Sequence, residues 1–316
     1  MNNKSFFQIE NMKTQTIGVE VEMNSITRRN AAKLAADFFG TGRYEDTAWR
    51  NGYKTWSAWD EQGREWKFQR DSSIAGPDDE KCELVTPILC YDDIETLQEL
   101  IRQLRHAGAK SDPTRGCGVH IHIGADGHTP QTLRNLANIM ASREDLLIDA
   151  LNLDSDRLGH YCKPVDHRFL EKVNQYKPQT MSELADCWYD SHGSNYDRDA
   201  HYNNSRYHML NLHATFTKGT VEFRLFQFDA PNGGRKGGLH AGQLKAYIQL
   251  CLAMSQKAKD VRTVSPKVKS QDNPKATMQT WLTRIGMVGD EFKTAREVLT
   301  RNLSTEFVDY SLRRAA

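Results

Sequence analysis

The stretch TIGVEVEMN, residues 16–24, places two glutamates two positions apart in a run of alternating apolar residues. Successive side chains of a β-strand point to opposite faces, so the apolar residues would share one face and Glu20 and Glu22 the other. At about 3.3 Å per residue the two carboxylates lie roughly 7 Å apart. Their repulsion is then about 2–2.5 kcal/mol at an effective dielectric constant near 20. Either open solvent or a shared cation would relieve it.

Three further segments separate apolar from polar side chains in the same way. The polar pairs are Glu20 and Glu22, His120 and His122, Asn211 and His213, and Glu222 and Arg224. An antiparallel sheet often has one wet face, so alternation alone explains any single strand. An ordinary wet face, however, consists mostly of Thr, Ser, Lys and Gln. If these strands are neighbours, carboxylates and imidazoles share one surface that needs a cation or a phosphate partner.

The residue types favour a hard divalent metal ion. Mg²⁺ prefers oxygen ligands and commonly bridges carboxylates to nucleotide phosphates. Two such ions about 4 Å apart can neutralise a phosphoryl group in transfer, and the planar fork of an arginine grips its oxygens. Zinc is the alternative for His120 and His122 taken alone, but no third histidine follows at a recognisable spacing and carboxylates outnumber imidazoles.

Composition excludes several classes of protein. The chain has 316 residues and a net charge of +1, enough length for one large domain or two small ones, and no basic stripe that would indicate nucleic acid. We find neither a secretory signal nor an apolar stretch of membrane-spanning length. The six cysteines are scattered without a CxxC pair, which indicates reduced thiols. These features predict a cytoplasmic protein without a membrane partner.

Strand and helix patterns occur in blocks, which predicts an α+β fold with a largely antiparallel sheet. Predicted strands cover residues 53–59, 64–71, 81–89, 116–124, 206–216 and 219–228, besides the opening stretch. Predicted helices cover residues 30–40, 91–108, 129–153 and about 239–254, and two more follow residue 271. The polar region 153–205 is predicted to be irregular and lid-like, with one short helix.

Five motifs, in this order along the chain, resemble the amidoligase family of the carboxylate–amine ligase superfamily, which is related to glutamine synthetase and glutamate–cysteine ligase. The motifs are GVEVEM (18–23), RDSSI with CELVTP (70–74 and 82–87), GVHIHIG (118–124), RYHMLNL (206–212) and TVEFRLF (220–226). The resemblance runs from about residue 16 to 250. It implies a glutamine synthetase-like domain over 1–270, with a curved, mainly antiparallel sheet and helices on its convex face. A C-terminal helical extension, 271–316, would pack on the same domain.

The resemblance also implies a reaction, the formation of an amide bond driven by ATP and Mg²⁺. Two or three ions are expected, and Mn²⁺ is an acceptable substitute. A substrate carboxylate attacks the γ-phosphate to give an acyl phosphate and ADP, and an amine then displaces phosphate. The implied substrates are a small-molecule or peptide carboxylate, such as a glutamate, and an amine. A protein or a cell-wall peptide would also fit as acceptor, whereas nucleic acid is not expected.

The same resemblance assigns metal ligands by position. They are Glu20, Glu22, Glu83, His120, His122 and Glu222. Glu20 and Glu22 would serve different ions, and Glu83 would complete the ion nearer the carboxylate substrate. Glu222 and one of the two histidines would hold the ion near the ATP phosphates. His120 and His122 are equal candidates for this role.

Catalytic and substrate-binding roles follow in the same way. Arg224 would stabilise the phosphoryl group in transfer, with Glu83 and Asp71 as its catalytic partners. Asp71 would also meet the amine end of a substrate. Arg206 and Asn211 would line the substrate side.

Nucleotide contacts are assigned to Arg224, His122, Lys163 and Arg235. Arg235 belongs to the glycine-rich loop 232–238, whose backbone amides could cradle a phosphate, although a simple turn before a helix fits the same pattern. Lys163 could approach phosphate, or its side chain could simply be solvated.

Two other functions stay open on the sequence alone. A metal-dependent hydrolase of a phosphoester or an amide could use the same His and Glu residues without ATP. A catalytically inactive nucleotide-binding relative could retain the fold without the chemistry.

Overall fold

The computed structural model describes residues 3–230 and 238–311, with side chains from Phe7 onward. It is a mixed α+β structure whose registered strand pairs are all antiparallel, which confirms the predicted class. The strands are β1 (Ile17–Met23), β2 (Tyr44–Asp46), β3 (Trp56–Trp59), β4 (Glu65–Gln69), β5 (Cys82–Val85), β6 (Val119–Gly124), β7 (Leu210–Asn211) and β8 (Thr220–Phe226).

Most of the α-helices of the described chain lie after residue 129. They are α1 (Asn3–Lys13), α2 (Arg28–Phe38), α3 (Ile94–His106), α4 (Pro130–Ala141), α5 (Glu144–Leu151), α6 (Ser155–His160), α7 (His167–Tyr176), α8 (Met181–His192), α9 (His213–Lys218), α10 (Ala241–Asp260), α11 (Pro274–Arg284) and α12 (Lys293–Thr300). None of the described helices combines the length and the apolar character that crossing a bilayer requires.

The chain forms two compact units, which we call the sheet unit and the helical unit. The sheet unit comprises Thr16–Ile121 and Phe226–Lys245. The helical unit comprises Met1–Gln15, His122–Leu225 and Ala246–Ala316. The division falls inside β6 and inside α10, so each of these elements contributes residues to both units.

In the sheet unit the strand order is β2-β3-β4-β5-β1, followed by β6. The alternation of β1 works as predicted, since its apolar residues from Ile17 to Met23 are almost fully buried. Helix α2 packs on β3 and β4, where Phe39 stacks against Trp66 with ring centroids 4.9 Å apart. Thr27 caps the start of α2, because its hydroxyl oxygen accepts from the backbone N–H of Asn30.

Arg64 joins the β3–β4 turn to the start of α3. Its guanidinium donates to Asp60 Oδ2 at 2.8 Å and to both carboxylate oxygens of Asp93 at 2.9 Å. The hydrogen bond from Arg64 is the largest cause that lowers the pKa of Asp93 to about 2. The charge pair is largely shielded from solvent, so it stabilises the fold more than a surface pair would.

We therefore expect Arg64→Met to lower the free energy of unfolding by about 2 kcal/mol at pH 7. The depressed pKa of Asp93 stabilises the native state above its ordinary pKa near 3.8, and this contribution is lost as the pH falls through about 2. Denaturant unfolding between pH 7 and 2 should therefore show a shallower acid-side loss in the variant. Arg102→Met, which removes an exposed pair with Glu99, is the control and should change stability by less than about 0.5 kcal/mol. An unchanged pH profile in Arg64→Met would contradict this role.

The helical unit corrects the prediction for residues 153–205. This region contains three helices, α6, α7 and α8, instead of one short helix in an irregular lid. Each begins at a capping side chain, Asp154, Asp166 or Thr180, that accepts hydrogen bonds from the first turn. The polar composition concealed α6 and α7, because only a narrow stripe of each is buried, whereas α8 coincides with the one short helix that was predicted. The capping residues were the available signal.

A second correction concerns residues 206–216, which alternate but do not form a long strand. Strand β7 covers only Leu210–Asn211, and α9 follows directly. The side-chain oxygen of Asn211 accepts from the backbone N–H of His213 at 2.9 Å, which starts the helical turn. Gly219, at a φ of +70°, ends it.

The C-terminal quarter forms two helices, as predicted. Helix α12 packs on α5 and α11, and its residues Ala295, Val298 and Leu299 are buried. The division of the chain at residue 270 stays a prediction. All six cysteines are free thiols, and five of them are buried.

Candidate functional site

Five side chains of the types that ligate metal ions meet in the sheet unit and form what we call the acidic cluster. They come from β1, from β5, from β6 and from the turn after β4. The members are Glu20, Glu22, Asp71, Glu83 and His120. All five were predicted site residues, and the structure brings them together.

The register of the strands creates this cluster. Glu22 lies directly opposite Glu83 across the β1–β5 pair, and Gln69 lies opposite Glu83 on its other side. Directly paired residues share a face of the sheet, so the register settles the face of Glu83, which the sequence alone did not. Two like charges in this arrangement destabilise the pair.

Open solvent does not relieve the repulsion. Glu22 is 4% exposed, Glu83 5% and His120 3%, while Glu20 is partly exposed. Buried carboxylates normally have a charged or metal partner. Of the two explanations offered for the opening stretch, the structure therefore rules out the first.

Hydrogen bonds orient the carboxylates of the acidic cluster. The backbone N–H of Gly118 donates to Glu22 Oε2 at 2.5 Å, and Gln69 Nε2 donates to Glu83 Oε2 at 2.8 Å. His120 Nδ1 lies 2.9 Å from Glu20 Oε2. The Gly118 and Gln69 donors bring no net charge, so they fix directions without neutralising the carboxylates.

Burial raises the pKa of Glu83 well above its ordinary range. The negative charges of Glu20, Glu22 and Asp71 raise it further, and the hydrogen bond from Gln69 lowers it only in part. None of these causes is a positive charge. The raised pKa of Glu83 therefore reflects the same repulsion between carboxylates that the strand register creates.

The ligand atoms form two groups that share Glu83. One group contains Glu20, Glu83 and His120, and the other contains Glu22, Asp71 and Glu83, with the ligand atoms of each group within 4.8 Å of one another. Glu20 and Glu22 thus belong to different groups, as expected of ligands to different ions. Carboxylate oxygens dominate both groups, and this donor set fits Mg²⁺ or Mn²⁺.

Gly116 allows the turn that carries Asp71 to approach β6. Asp71 Oδ1 accepts from the backbone N–H and the hydroxyl of Ser73, both at 2.6 Å. Gly116 has a φ of +80°, and a Cβ at this position would lie 2.6 Å from the carbonyl oxygen of Ser73. Any side chain there must push the Asp71 turn away.

We expect Gly116→Ala to destabilise the protein by about 2–3 kcal/mol, because it combines an unfavourable φ with the backbone clash. Gly52→Ala is the matched control, since Gly52 has a φ of +72° and nothing within 4 Å of an added Cβ. Denaturant unfolding of both variants isolates the clash as the difference between them. Equal losses of stability would show that the contact with Ser73 does not hold the Asp71 turn.

A second set of predicted residues meets in the helical unit, and we call it the Glu222 cluster. Its members are His122, Asn211, Glu222 and Arg224. Asn211 lies opposite Glu222 across the β7–β8 pair and donates to Glu222 Oε2 at 2.7 Å. Arg224 Nη1 lies 2.5 Å from Glu222 Oε1, and both side chains are buried. This cluster pairs its carboxylate with a fixed positive charge.

The two histidines of β6 have different partners. His120 lies beside Glu20, whereas His122 Nε2 lies 3.9 Å from Glu222 Oε1. His122 Nδ1 is 2.9 Å from the hydroxyl of Thr220. Of the two equal candidates to accompany Glu222, His122 is therefore the one found beside it.

Predicted substrate residues line a cavity of about 180 Å³ in the helical unit. Arg206, Asn211 and Glu222 all contribute to its wall. His213 lines it as well, fixed by the hydroxyl of Tyr189 at 2.7 Å from its Nδ1. The polar lining suits a small charged ligand.

Other predicted contacts stand apart from this cavity. Arg224 is not among its lining residues; its Nε points to the carbonyl oxygen of Tyr161 at 3.5 Å, and its guanidinium lies 5.8 Å from the ring centroid of Tyr207. The side chain of Lys163 is exposed and does not line the cavity either. Arg235 lies outside the described residues.

Sequence reasoning missed the partners that orient the site. Gln69 was read only as part of a strand, although its position opposite Glu83 follows once the β4–β5 register is known. Gly118 acts through its backbone N–H, which carries no sequence signal beyond the glycine itself. Tyr189 lay in the short helix predicted within residues 153–205, but nothing in the sequence linked it to His213.

Residues 13–255 match the model of a family described as "Putative amidoligase enzyme". The match covers most of the chain, so the protein belongs to this family, as its motifs predicted, and the family is one of amide-bond-forming ligases.

No curated protein matches the sequence. A similar solved structure is a bifunctional glutathione synthetase from Pasteurella multocida, with 13% sequence identity and a TM-score of 0.43. The similarity covers 95% of this chain and 49% of that chain, so this chain spans about half of its length.

Proposed function

We propose that the protein is an ATP- and Mg²⁺-dependent amidoligase that joins a carboxylate to an amine through an acyl phosphate. Membership of the amidoligase family supports the ligase reaction. A glutamine synthetase-like arrangement, with helices on the convex face of a curved sheet, is part of the proposal.

One observation carries the proposal, the buried pairing of Glu22 with Glu83 inside the acidic cluster. Folding places these carboxylates opposite each other at a cost, and Gln69 and Gly118 orient them without cancelling their charge. A purely structural role would be served better by neutral side chains. A site for divalent cations explains why the charges are there.

In this proposal Glu20, Glu83 and His120 hold one ion, and Glu22, Asp71 and Glu83 hold a second. Glu222 and His122 would hold an ion on the nucleotide side. The bound ions would supply positive charge to the phosphate oxygens during transfer. His120 binds as the neutral imidazole, and its contact with Glu20 orients the ring.

Arg224 acts on the phosphoryl group. Its guanidinium is buried and held by Glu222, so it is oriented before any nucleotide binds. A fixed planar cation can follow charge as it spreads over the equatorial oxygens of the phosphoryl group. Asn211 holds the other oxygen of Glu222 and keeps the carboxylate aligned with Arg224.

Arg206 and Asn211 would bind the substrate in the cavity that they line. The guanidinium of Arg206 lies over the rings of Tyr202 and Tyr207, at 5.3 and 5.6 Å from their centroids. An arginine supported in this way suits a carboxylate ligand. Asp71 would receive the amine, because a carboxylate next to Glu22 and Glu83 attracts a cationic group.

The proposal predicts that Glu20→Gln and Glu222→Gln each lower amine-dependent ADP release by at least about 100-fold. Glutamine has the size of glutamate but lacks its charge, so circular dichroism should show an intact fold. Glu45→Gln and Glu171→Gln change exposed glutamates, one in each unit, and should retain wild-type turnover. The assay is a screen of carboxylate and amine pairs for ADP, with product masses measured afterwards.

Two outcomes would contradict the proposal. Turnover of a phosphoester or an amide in the absence of ATP would identify a metal-dependent hydrolase. Absence of ATP and Mg²⁺ binding by a folded protein, measured by isothermal titration, would identify an inactive relative.

A further inference from the structure

A group of side chains with metal-ligand chemistry also lies among the helices of the helical unit, and we call it the His192 cluster. It consists of Asp166, His192 and His208, whose ligand atoms lie within 4.8 Å of one another. Asp166 precedes α7, His192 is the last residue of α8, and His208 lies just before β7. None of the three was a predicted site residue.

The backbone fixes the same tautomer for both histidines. His192 Nδ1 lies 2.6 Å from the carbonyl oxygen of Trp188, and His208 Nδ1 lies 3.1 Å from that of Ser205. A carbonyl oxygen only accepts hydrogen bonds, so each Nδ1 carries the proton. The lone pair of each neutral ring is then on Nε2. Metal-binding histidines are commonly oriented in this way, with the other ring nitrogen donating to a carbonyl.

His192 Nε2 is buried and has no hydrogen-bond partner within residues 3–230 and 238–311. A buried acceptor without a partner is destabilising. Burial also lowers the pKa of both histidines. A neutral ring with an unused, buried lone pair is suited to a metal ion.

Asp166 contributes an oxygen to the group. Its Oδ1 accepts from the backbone N–H groups of Arg168 and Phe169 and so caps α7. Its Oδ2 lies 3.2 Å from Arg168 Nη2, but the Arg168 side chain is mostly exposed. The arginine can therefore move into solvent when an ion approaches Oδ2.

Aromatic rings shield one side of the cluster from water. The ring centroid of Trp188 lies 4.3 Å from that of His192 and 6.1 Å from that of His208, and Phe169 packs against Trp188. Trp188 is itself held by a hydrogen bond from its Nε1 to the hydroxyl of Ser205. An apolar wall strengthens the attraction between an ion and its ligands.

We propose that Asp166, His192 and His208 bind a single divalent transition-metal ion, with Zn²⁺ the ion that suits them best. Two imidazole nitrogens and one carboxylate oxygen are typical zinc ligands, and water would complete a tetrahedral site. Zinc–ligand bonds near 2.0 Å place neighbouring ligands about 3.3 Å apart, so small side-chain movements close the site. The acidic cluster, in contrast, is dominated by carboxylates and suits Mg²⁺.

Such an ion would connect the start of α7, the end of α8 and the segment before β7. That segment is already tied to Lys163, whose backbone accepts from Met209 and donates to Tyr207. It continues into Asn211, which binds Glu222. The ion would thus stabilise the region that positions Asn211 and Arg206, and its binding does not depend on the ligase reaction.

The test uses the full-length chain with Glu20→Gln and Glu83→Gln as background, so that the acidic cluster does not take up zinc. After treatment with EDTA, Zn²⁺ is titrated in competition with a chromophoric chelator. We expect one zinc per chain and a higher melting temperature. Adding His192→Gln or His208→Gln should weaken binding at least about tenfold and remove the zinc-dependent rise. His167→Gln, at the exposed neighbour of Asp166, should bind zinc like the background protein.

Circular dichroism in EDTA shows whether the histidine variants fold. If one does not fold, zinc X-ray absorption of the background protein tests the proposal instead. The spectrum reports the ligands of the zinc ion, and the proposed site has imidazole ligands. Zinc binding that is equal in the background protein and both histidine variants would overturn the proposal. Absence of bound zinc, or a zinc shell without imidazole, would overturn it as well.

Discussion

The buried pairing of two carboxylates, Glu22 on β1 and Glu83 on β5, is the constraint on which the rest of the site depends. The β1–β5 register is fixed by the apolar face of β1, because a slip of one residue would expose the side chains that the core requires. The same register forces the two carboxylates together on the opposite face. The fold therefore creates the acidic cluster as a consequence of building its core.

The acidic cluster and the Glu222 cluster differ in how their charge is balanced, and this difference favours a different role for each of them. Glu222 has Arg224 on one oxygen and Asn211 on the other, so its cluster is nearly neutral and ordered without a ligand. In the acidic cluster the hydrogen bonds to Glu22 and Glu83 come from the neutral N–H groups of Gly118 and Gln69, and burial raises the pKa of Glu83. An arginine held in place suits phosphoryl transfer, whereas clustered carboxylates suit metal ions.

The sequence predicted most of the site because alternation and residue type carry the necessary information. The opposed faces of β1, β6 and β8, and the choice of Glu and His on them, were readable from residues 16–24, 119–123 and 220–225. Two helices of residues 153–205, α6 and α7, were not, because their buried stripes are narrow and the tertiary contacts that stabilise them cannot be seen in sequence. The third helix, α8, coincides with the short helix predicted there. The alternation of residues 206–216 predicted a longer strand than the structure contains, because a side-chain oxygen of Asn211 starts a helix there. The strand register, which places Gln69 opposite Glu83, depends on pairing between distant segments and so could not be read from the sequence.

The most direct test of the central claim is the stability of Glu83→Gln with and without Mg²⁺, measured by denaturant unfolding. If Glu22 and Glu83 repel each other in a site built for cations, the variant should be more stable than wild type in EDTA by about 1 kcal/mol. Mg²⁺ should stabilise the wild type but not the variant. A variant that is less stable than wild type in EDTA, together with a wild type that does not respond to Mg²⁺, would contradict the account.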